Sequence, residues 1–333
     1  MRLILPVLVL LLSGCMEKEY TQQRYVFGTL VEVSVYGGSR AKATEAIDAV
    51  MTKFGQMHNQ LHAWKPSEIT ELNKAFSEGK SMKVDPEVAD IIRDATRLSD
   101  ESKGLFNPAI GRLIGLWGFQ NDEFRPVRPD PKEIAELVSE HPGMDDIEIE
   151  GDVASSRNPS VRLDLGGFAK GYALDVAAGI LKEKGVKNAL VNIGGNIMAL
   201  GRHGKRSWRV GIKNPRGSGA VAEIDLQDGE AIGTSGDYQR YFLLDGRRYC
   251  HIIDPRTGYP AQGVEAVTVL IQKGPHAGAL SDAASKPIFI SGLNGWRAAA
   301  AEMGVDSALL IDDKGKMHVT AAFKKRMFPE GVQ

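Results

Sequence analysis

Asp164-Leu165-Gly166-Gly167-Phe168-Ala169-Lys170-Gly171 is the stretch from which the architecture can be read. Just ahead of it, Val161-Arg162-Leu163-Asp164-Leu165 alternates apolar and polar side chains, which predicts a half-buried strand running into the glycine pair. Behind it, residues 169–184 read as a helix stopped by Gly185. A strand over Ala189–Ile193 then closes on Gly194-Gly195. Glycines between a strand and a helix let backbone groups approach an anion closely, and the helix N-terminus favours negative charge there. Asp164 is placed to accept hydrogen bonds from a nucleotide, and Lys170 to meet a phosphate. The segment is neither Gly-x-Gly-x-x-Gly nor a Walker loop, so it also fits a plain tight turn.

Toward the N-terminus, Val31–Tyr36 alternates as a strand ended by Gly37-Gly38. Helices are expected over 41–61 and 85–103, the second opened by Pro86 and followed by Gly104. A proline-rich loop covers 121–131 and a short helix 132–141. Toward the C-terminus come strands over Trp208–Ile212, Ala222–Leu226, Tyr241–Leu244 and Val264–Ile271, with a hairpin turn at Asp245-Gly246 and a helix over Asn294–Gly304. No repeat of fixed period and no clear linker interrupts this order. It predicts an α+β fold with extensive antiparallel sheet.

The chain has 333 residues, 43% hydrophobic and 25% charged, with a formal net charge of -1. That is ordinary globular composition, and no basic excess points to nucleic acid as a partner. Arg2 precedes an apolar run over Leu3–Leu12, too short for a bilayer-spanning helix of about 20 residues but suited to a secretory signal. Leu12-Ser13-Gly14-Cys15 resembles a bacterial lipobox. The expectation is a signal segment over 1–14, lipid on Cys15, a short tether over 15–23 and one functional body over 24–330. Such a protein is held by lipid to the cell membrane on its periplasmic or other extracytoplasmic face. Cys250 is the only other cysteine, so an acylated Cys15 leaves no intramolecular disulfide. Its neighbours Tyr249 and Ile252 suggest a packed small hydrophobe.

Four further segments pair flexible backbone with polar groups: Asn192–Asn196, Gly233–Tyr238, His251–Gly258 and Ser281–Lys286. His251 has the side chain best suited to base work near neutrality. Asp282 is an oxygen ligand of the kind magnesium takes, although on residue chemistry alone a helix N-cap is the stronger reading. Pro287 argues against a regular helix from Asp282 through it without a kink.

In this order the segments resemble the ApbE family of FAD:protein FMN transferases. The matching elements run from Phe27-Gly28-Thr29 through His62-Ala63-Trp64-Lys65, Phe106–Phe119, Asp164–Gly171, Asn192–Asn196, Thr234–Tyr238 and His251–Gly258 to Asp282-Ala283. The resemblance implies a T-fold-like body with FAD in a cleft between lobes and magnesium at the pyrophosphate. It also implies transfer of FMN to a threonine or serine hydroxyl, with release of AMP. The acceptors would be flavoprotein subunits of membrane redox complexes. Phe27 falls where the family usually places a methionine against the flavin. Leu105, Phe106 and Asn107 match an FAD-contacting stretch, and Asp164, Lys170, Thr234 and Asp254 match further cofactor positions. The Gly167 carbonyl and Asp282 carboxylate match metal ligands, and His251 the catalytic histidine.

One departure concerns the metal. Lys286 stands four residues after Asp282, where the family often has threonine or aspartate, and a protonated lysine cannot ligate a cation. The favoured expectation keeps magnesium on Gly167, Asp282, the FAD phosphates and extra waters, with Lys286 near the phosphates. Ser285 could supply the missing oxygen, or the ammonium could itself replace the metal. Two rival functions use the same site: a metal-dependent FAD pyrophosphatase with water as acceptor, and a periplasmic FAD-binding lipoprotein without turnover.

Overall fold

The structure is a computed structural model that describes residues 18–329; the lipobox and Cys15 lie outside them. Its centre is an eight-stranded sheet whose spatial order follows the chain. The strands are Glu19–Val26, Thr29–Tyr36, Ala189–Ile193, Asn196–Leu200, Ala231–Gly236, Val264–Ile271, Ser307–Asp312 and Met317–Val319. Every neighbouring pair is antiparallel. The α+β expectation stands.

Helices Arg40–Gln60, Ala169–Glu183 and Ala277–Ile290 share the main core with this sheet, around Phe54, Leu174 and Phe289. A small sheet of Trp208–Lys213, Ala220–Leu226 and Met327–Pro329 builds a second core with Trp208, Ile224 and Phe323. Strand Val264–Ile271 contributes Val267 and Val269 to the first core and Ala266 and Leu270 to the second. Both its faces are covered, which is why it reads as a nearly continuous apolar run. Each fully buried large apolar side chain stabilises the fold by roughly 1.5–3 kcal/mol. A third core gathers Ile110, Trp117, Phe119, Leu137, Phe242 and Ile253. There Trp117 stacks on Tyr249 at 5.5 Å and donates its Nε1–H to the Gly258 carbonyl at 2.7 Å.

Three expectations need correction. Residues 161–165 are not a strand of any sheet, because their backbone groups have other partners. The N–H groups of Arg162 and Asp164 donate to the carbonyls of Ala109 and Pro108. The Asn73 amide takes both polar groups of Leu163, at 2.6 and 2.9 Å. Residues 19–23, expected in the tether, belong to strand Glu19–Val26, paired in register with Thr29–Tyr36 at the sheet edge. An edge strand with little buried surface carries a mostly polar sequence, which reads as loop. The third correction is the Ala277–Ile290 helix, which continues through Pro287. Asp282 therefore sits inside that helix rather than capping it, and its carbonyl takes side-chain donors from Ser285 and Lys286, both at 2.7 Å.

The Ala169–Glu183 and Ala277–Ile290 helices meet backbone to backbone at Gly171 and Gly278. A Cβ on either glycine would collide with the carbonyl oxygen of the other. This approach lets the Gly171 N–H donate to Asp282 Oδ2 at 2.9 Å, fixing that carboxylate between the helices.

Candidate active site

A cleft of about 990 Å³ opens between the Phe27-Gly28 turn, the Leu105–Pro108 loop, the Asp164–Lys170 segment, the Gly194-Gly195 turn, and the segments bearing Arg240 and His251. That is the upper end of the range for pockets that enclose cofactor-sized ligands. Phe27 and Gly28 form a two-residue hairpin turn with φ of 56° and 70°. A left-handed backbone costs a residue other than glycine roughly 1–2 kcal/mol. In return the turn sets the Phe27 ring edge-on to Phe54 and His58 at the cleft wall.

Most of the expected site residues meet here. Leu105, Phe106, Asn107, Asp164, Gly167, Lys170, Thr234 and His251 all line the cleft. Asn107 spends its side chain on the protein: its amide donates to the Pro142 carbonyl at 2.9 Å, and its oxygen accepts from the Ala109 N–H at 3.0 Å. Asp164 accepts from the Gly166 N–H and from Gln120 Nε2, each at 3.0 Å. A carboxylate has about four acceptor sites, so capacity remains for a ligand. Lys170 makes only a long contact of 3.5 Å to the Gly166 carbonyl. Asp254 does not reach the cleft; it holds its own turn together, pairing with Arg256 at 2.7 Å and accepting from the Arg256 N–H at 2.9 Å.

The expected metal ligands are not arranged around a cavity for a cation. Asp282 Oδ1 is paired with the Lys286 ammonium, and Oδ2 is taken by Gly171. Ser285 is fully buried, with its hydroxyl 2.7 Å from that of Ser235 and donating to the Asp282 carbonyl. Gly167 faces the lysine stem: a Cβ built on it would stand 3.4 Å from Lys286 Cε. Among the described residues no group of three His, Cys, Asp or Glu side chains could hold a metal. The donor set does not fit magnesium. Burial pulls the Lys286 ammonium down to about 8 against the opposing attraction of Asp282, which is itself held below the usual carboxylate range by the lysines despite its own burial.

His251 is half-buried, and its Nδ1 lies 3.2 Å from the Arg240 carbonyl. Burial first, then the charges of Arg240 and Lys170, hold its pKa well below the ordinary histidine value. The imidazole is therefore neutral near pH 7. Arg240 is the cleft residue that sequence reasoning passed over. Its guanidinium packs on the rings of Trp64 and Phe124 at 5.5 and 5.0 Å and donates to the Phe119 carbonyl. No carboxylate pairs with it among the described residues. The only signal was an arginine among aromatic neighbours, Tyr238 and Tyr241, which fits an exposed hairpin equally well.

A family model described as the ApbE family matches residues 27–309. The FAD:protein FMN transferase of Rhodobacter capsulatus is 42% identical over 303 residues, covering 91% of this chain. The chain spans only 57% of that relative's length. The FAD:protein FMN transferase of Treponema pallidum is 32% identical over 320 residues, covering 89% of this chain and 86% of its own. Among solved structures, the ApbE protein of Thermotoga maritima has a TM-score of 0.84 at 31% identity, over 93% of this chain and 99% of that one. The chain belongs to the ApbE family.

Proposed function

We propose that this chain transfers FMN from FAD to a threonine or serine hydroxyl of an acceptor protein, with AMP as the leaving group. The observation that carries the reading is a neutral histidine in a cofactor-sized cleft beside Lys170 and Arg240, neither of which pairs with a carboxylate among the described residues. The names of the curated relatives support it. In the transfer step the acceptor oxygen forms a bond to the FMN phosphorus while the bond from that phosphorus to the AMP oxygen breaks. The hydroxyl proton passes to His251 Nε2, a gain of typically 10²–10⁴ in rate for a positioned base. Negative charge builds on the phosphoryl oxygens and the departing AMP, and Lys170, Arg240 and Lys286 line the cleft to stabilise it. Magnesium, which the family resemblance implies, is left out of this step because Asp282 and Ser285 are already engaged.

The reading extends to place and partner. Lipid on Cys15 would hold the enzyme at the membrane, facing acceptor flavoprotein subunits of redox complexes from the extracytoplasmic side. The deciding experiment mixes the protein with FAD and a candidate acceptor, then reads flavin fluorescence in a denaturing gel alongside AMP release. Covalent flavin on the acceptor with equimolar AMP is expected. Free FMN and AMP without covalent flavin would make the chain a pyrophosphatase. Bound FAD without AMP would make it a carrier.

A further inference from the structure

We propose that the Lys286 ammonium is the built-in cation of this site and stands in place of a divalent metal at the FAD pyrophosphate. The inference rests on the cleft being the FAD site and concerns how the phosphates are neutralised there.

Position is the first argument. Lys286 lines the cleft, with its side chain 14% exposed. Its stem passes the Gly167 backbone and its Nζ ends on Asp282. It therefore occupies the space between the two groups that would otherwise be metal ligands. Donor count is the second argument. An ammonium has three N–H donors. The Asp282 carbonyl and the Asp282 carboxylate each accept from Nζ. One donor is left for a phosphate oxygen, and lysine binds phosphate well as a compact point charge.

Charge gives the third argument. A divalent ion on one carboxylate would leave one net positive charge. Lys286 set against Asp282 leaves none, so here the net positive charge facing the phosphates is that of Lys170, which lines the cleft in either case. The lysine is also hard to displace. Moving it aside for a metal would strand a buried ammonium, and removing one partner of a buried pair costs far more than a surface bridge is worth. Nor is the surrounding cradle free to rearrange. Asp282 is held by Gly171 across a helix crossing with no room for a Cβ, and Ser285 is locked to Ser235.

The test titrates FAD into the full chain by flavin fluorescence, once in EDTA and once in excess magnesium chloride. The wild-type Kd is expected to agree within about twofold between the two, a difference of less than half a kcal/mol. Manganese added as a paramagnetic probe should show no protein-bound signal beyond that of FAD alone. Lys286→Thr should weaken FAD binding in EDTA by about 10- to 100-fold, the loss of one charge-assisted hydrogen bond, and magnesium should restore much of it. Lys286→Met, which keeps the stem and removes the charge, checks the same loss if the threonine variant folds poorly. A wild-type Kd that tightens beyond that margin in magnesium overturns the proposal, as does a protein-bound manganese signal. FAD binding with such metal dependence would sink this inference alone. No FAD binding under any condition would sink the proposed function with it.

Discussion

His251 donates its Nδ1–H to the backbone carbonyl of Arg240, 3.2 Å away, and its own backbone N–H donates to the same oxygen at 3.1 Å. A carbonyl can only accept, so the proton of the neutral ring belongs on Nδ1. Nε2 then carries the lone pair and has no hydrogen-bond partner among the described residues. A base oriented in this way acts on the acceptor hydroxyl and adds little to cofactor binding. His251→Ala should therefore keep FAD affinity within about threefold while slowing FMN transfer by about 10²–10⁴. Single-turnover flavin fluorescence on the acceptor separates the two quantities. Wild-type transfer rates in this variant would remove His251 from the chemistry.

The same environment fixes a pH dependence. Burial and the nearby cations depress the folded-state pKa of His251 below its ordinary 6.5, so the neutral base persists as the pH falls through that value. Transfer by the wild-type protein should hold steady from pH 7 down past 6.5 and decline only at more acid pH. The stability sign follows from linkage. The unfolded chain takes up a proton near 6.5 that the folded site resists, so this residue draws stability away as the pH drops below 6.5. A pH–rate profile whose acid limb centres at 6.5 or above would contradict the buried-base assignment.

Asp164 closes the 3₁₀ turn Leu165–Gly167 through the Gly166 N–H and keeps acceptor capacity toward the cleft. Asp164→Asn preserves the turn-capping oxygen but removes the charge. It should weaken FAD binding by about tenfold, one charge-assisted hydrogen bond, with the unfolding midpoint little changed. A fluorescence titration with an unchanged Kd would place the cofactor elsewhere in the cleft.

Local signals made several of these elements legible. Gly185 stops the Ala169–Glu183 helix, and Asp245-Gly246 turns the Tyr241–Cys250 hairpin with φ of 52° and 75°. Cys250 is packed as its apolar neighbours suggested, and burial pushes its thiol up to about 12. What the sequence hid depends on distant partners. Residues 161–165 alternate like a strand, yet their backbone partners are the Asn73 side chain at Leu163 and the carbonyls of Ala109 and Pro108 at Arg162 and Asp164. Pro287 is a helix breaker by local rules, but the enclosing sheet and helices keep the Ala277–Ile290 helix continuous. Only that continuity turns the four-residue spacing of Asp282 and Lys286 into an ion pair. Arg240 becomes a cleft cation because Trp64 and Phe124, remote in the chain, lie against it.

The lipid anchor is tested at Cys15. One acyl chain gives marginal membrane binding, whereas two or more anchor stably. The lipobox reading predicts that the wild-type protein sediments with membranes and carries lipid, and that Cys15→Ser loses the lipid and shifts in gel mobility because its signal segment is retained. A serine variant that stays in the membrane fraction at unchanged mobility would reject the anchor.

The helix crossing beneath the site makes the last prediction. At Gly171 a Cβ would drive into the Gly278 carbonyl and the Asp282 Cβ, both atoms of a packed helix with no flexible end to yield. Overpacking of this kind costs typically 1–3 kcal/mol, so Gly171→Ala should lower the thermal midpoint. It should also weaken FAD binding, because separating the helices lengthens the Gly171-to-Asp282 hydrogen bond that fixes the Lys286 partner. Gly55 supplies the contrast. It lies within the Arg40–Gln60 helix with nothing within 4 Å of a built Cβ. Gly55→Ala should thus stabilise by about 0.5–1 kcal/mol, the helix-propensity gain alone, and leave FAD affinity unchanged. Calorimetry and FAD titration of the two variants side by side measure both effects. Equal midpoints for the two alanine variants would mean that the crossing can open without cost, and the cradle around Asp282 would not be the rigid one described.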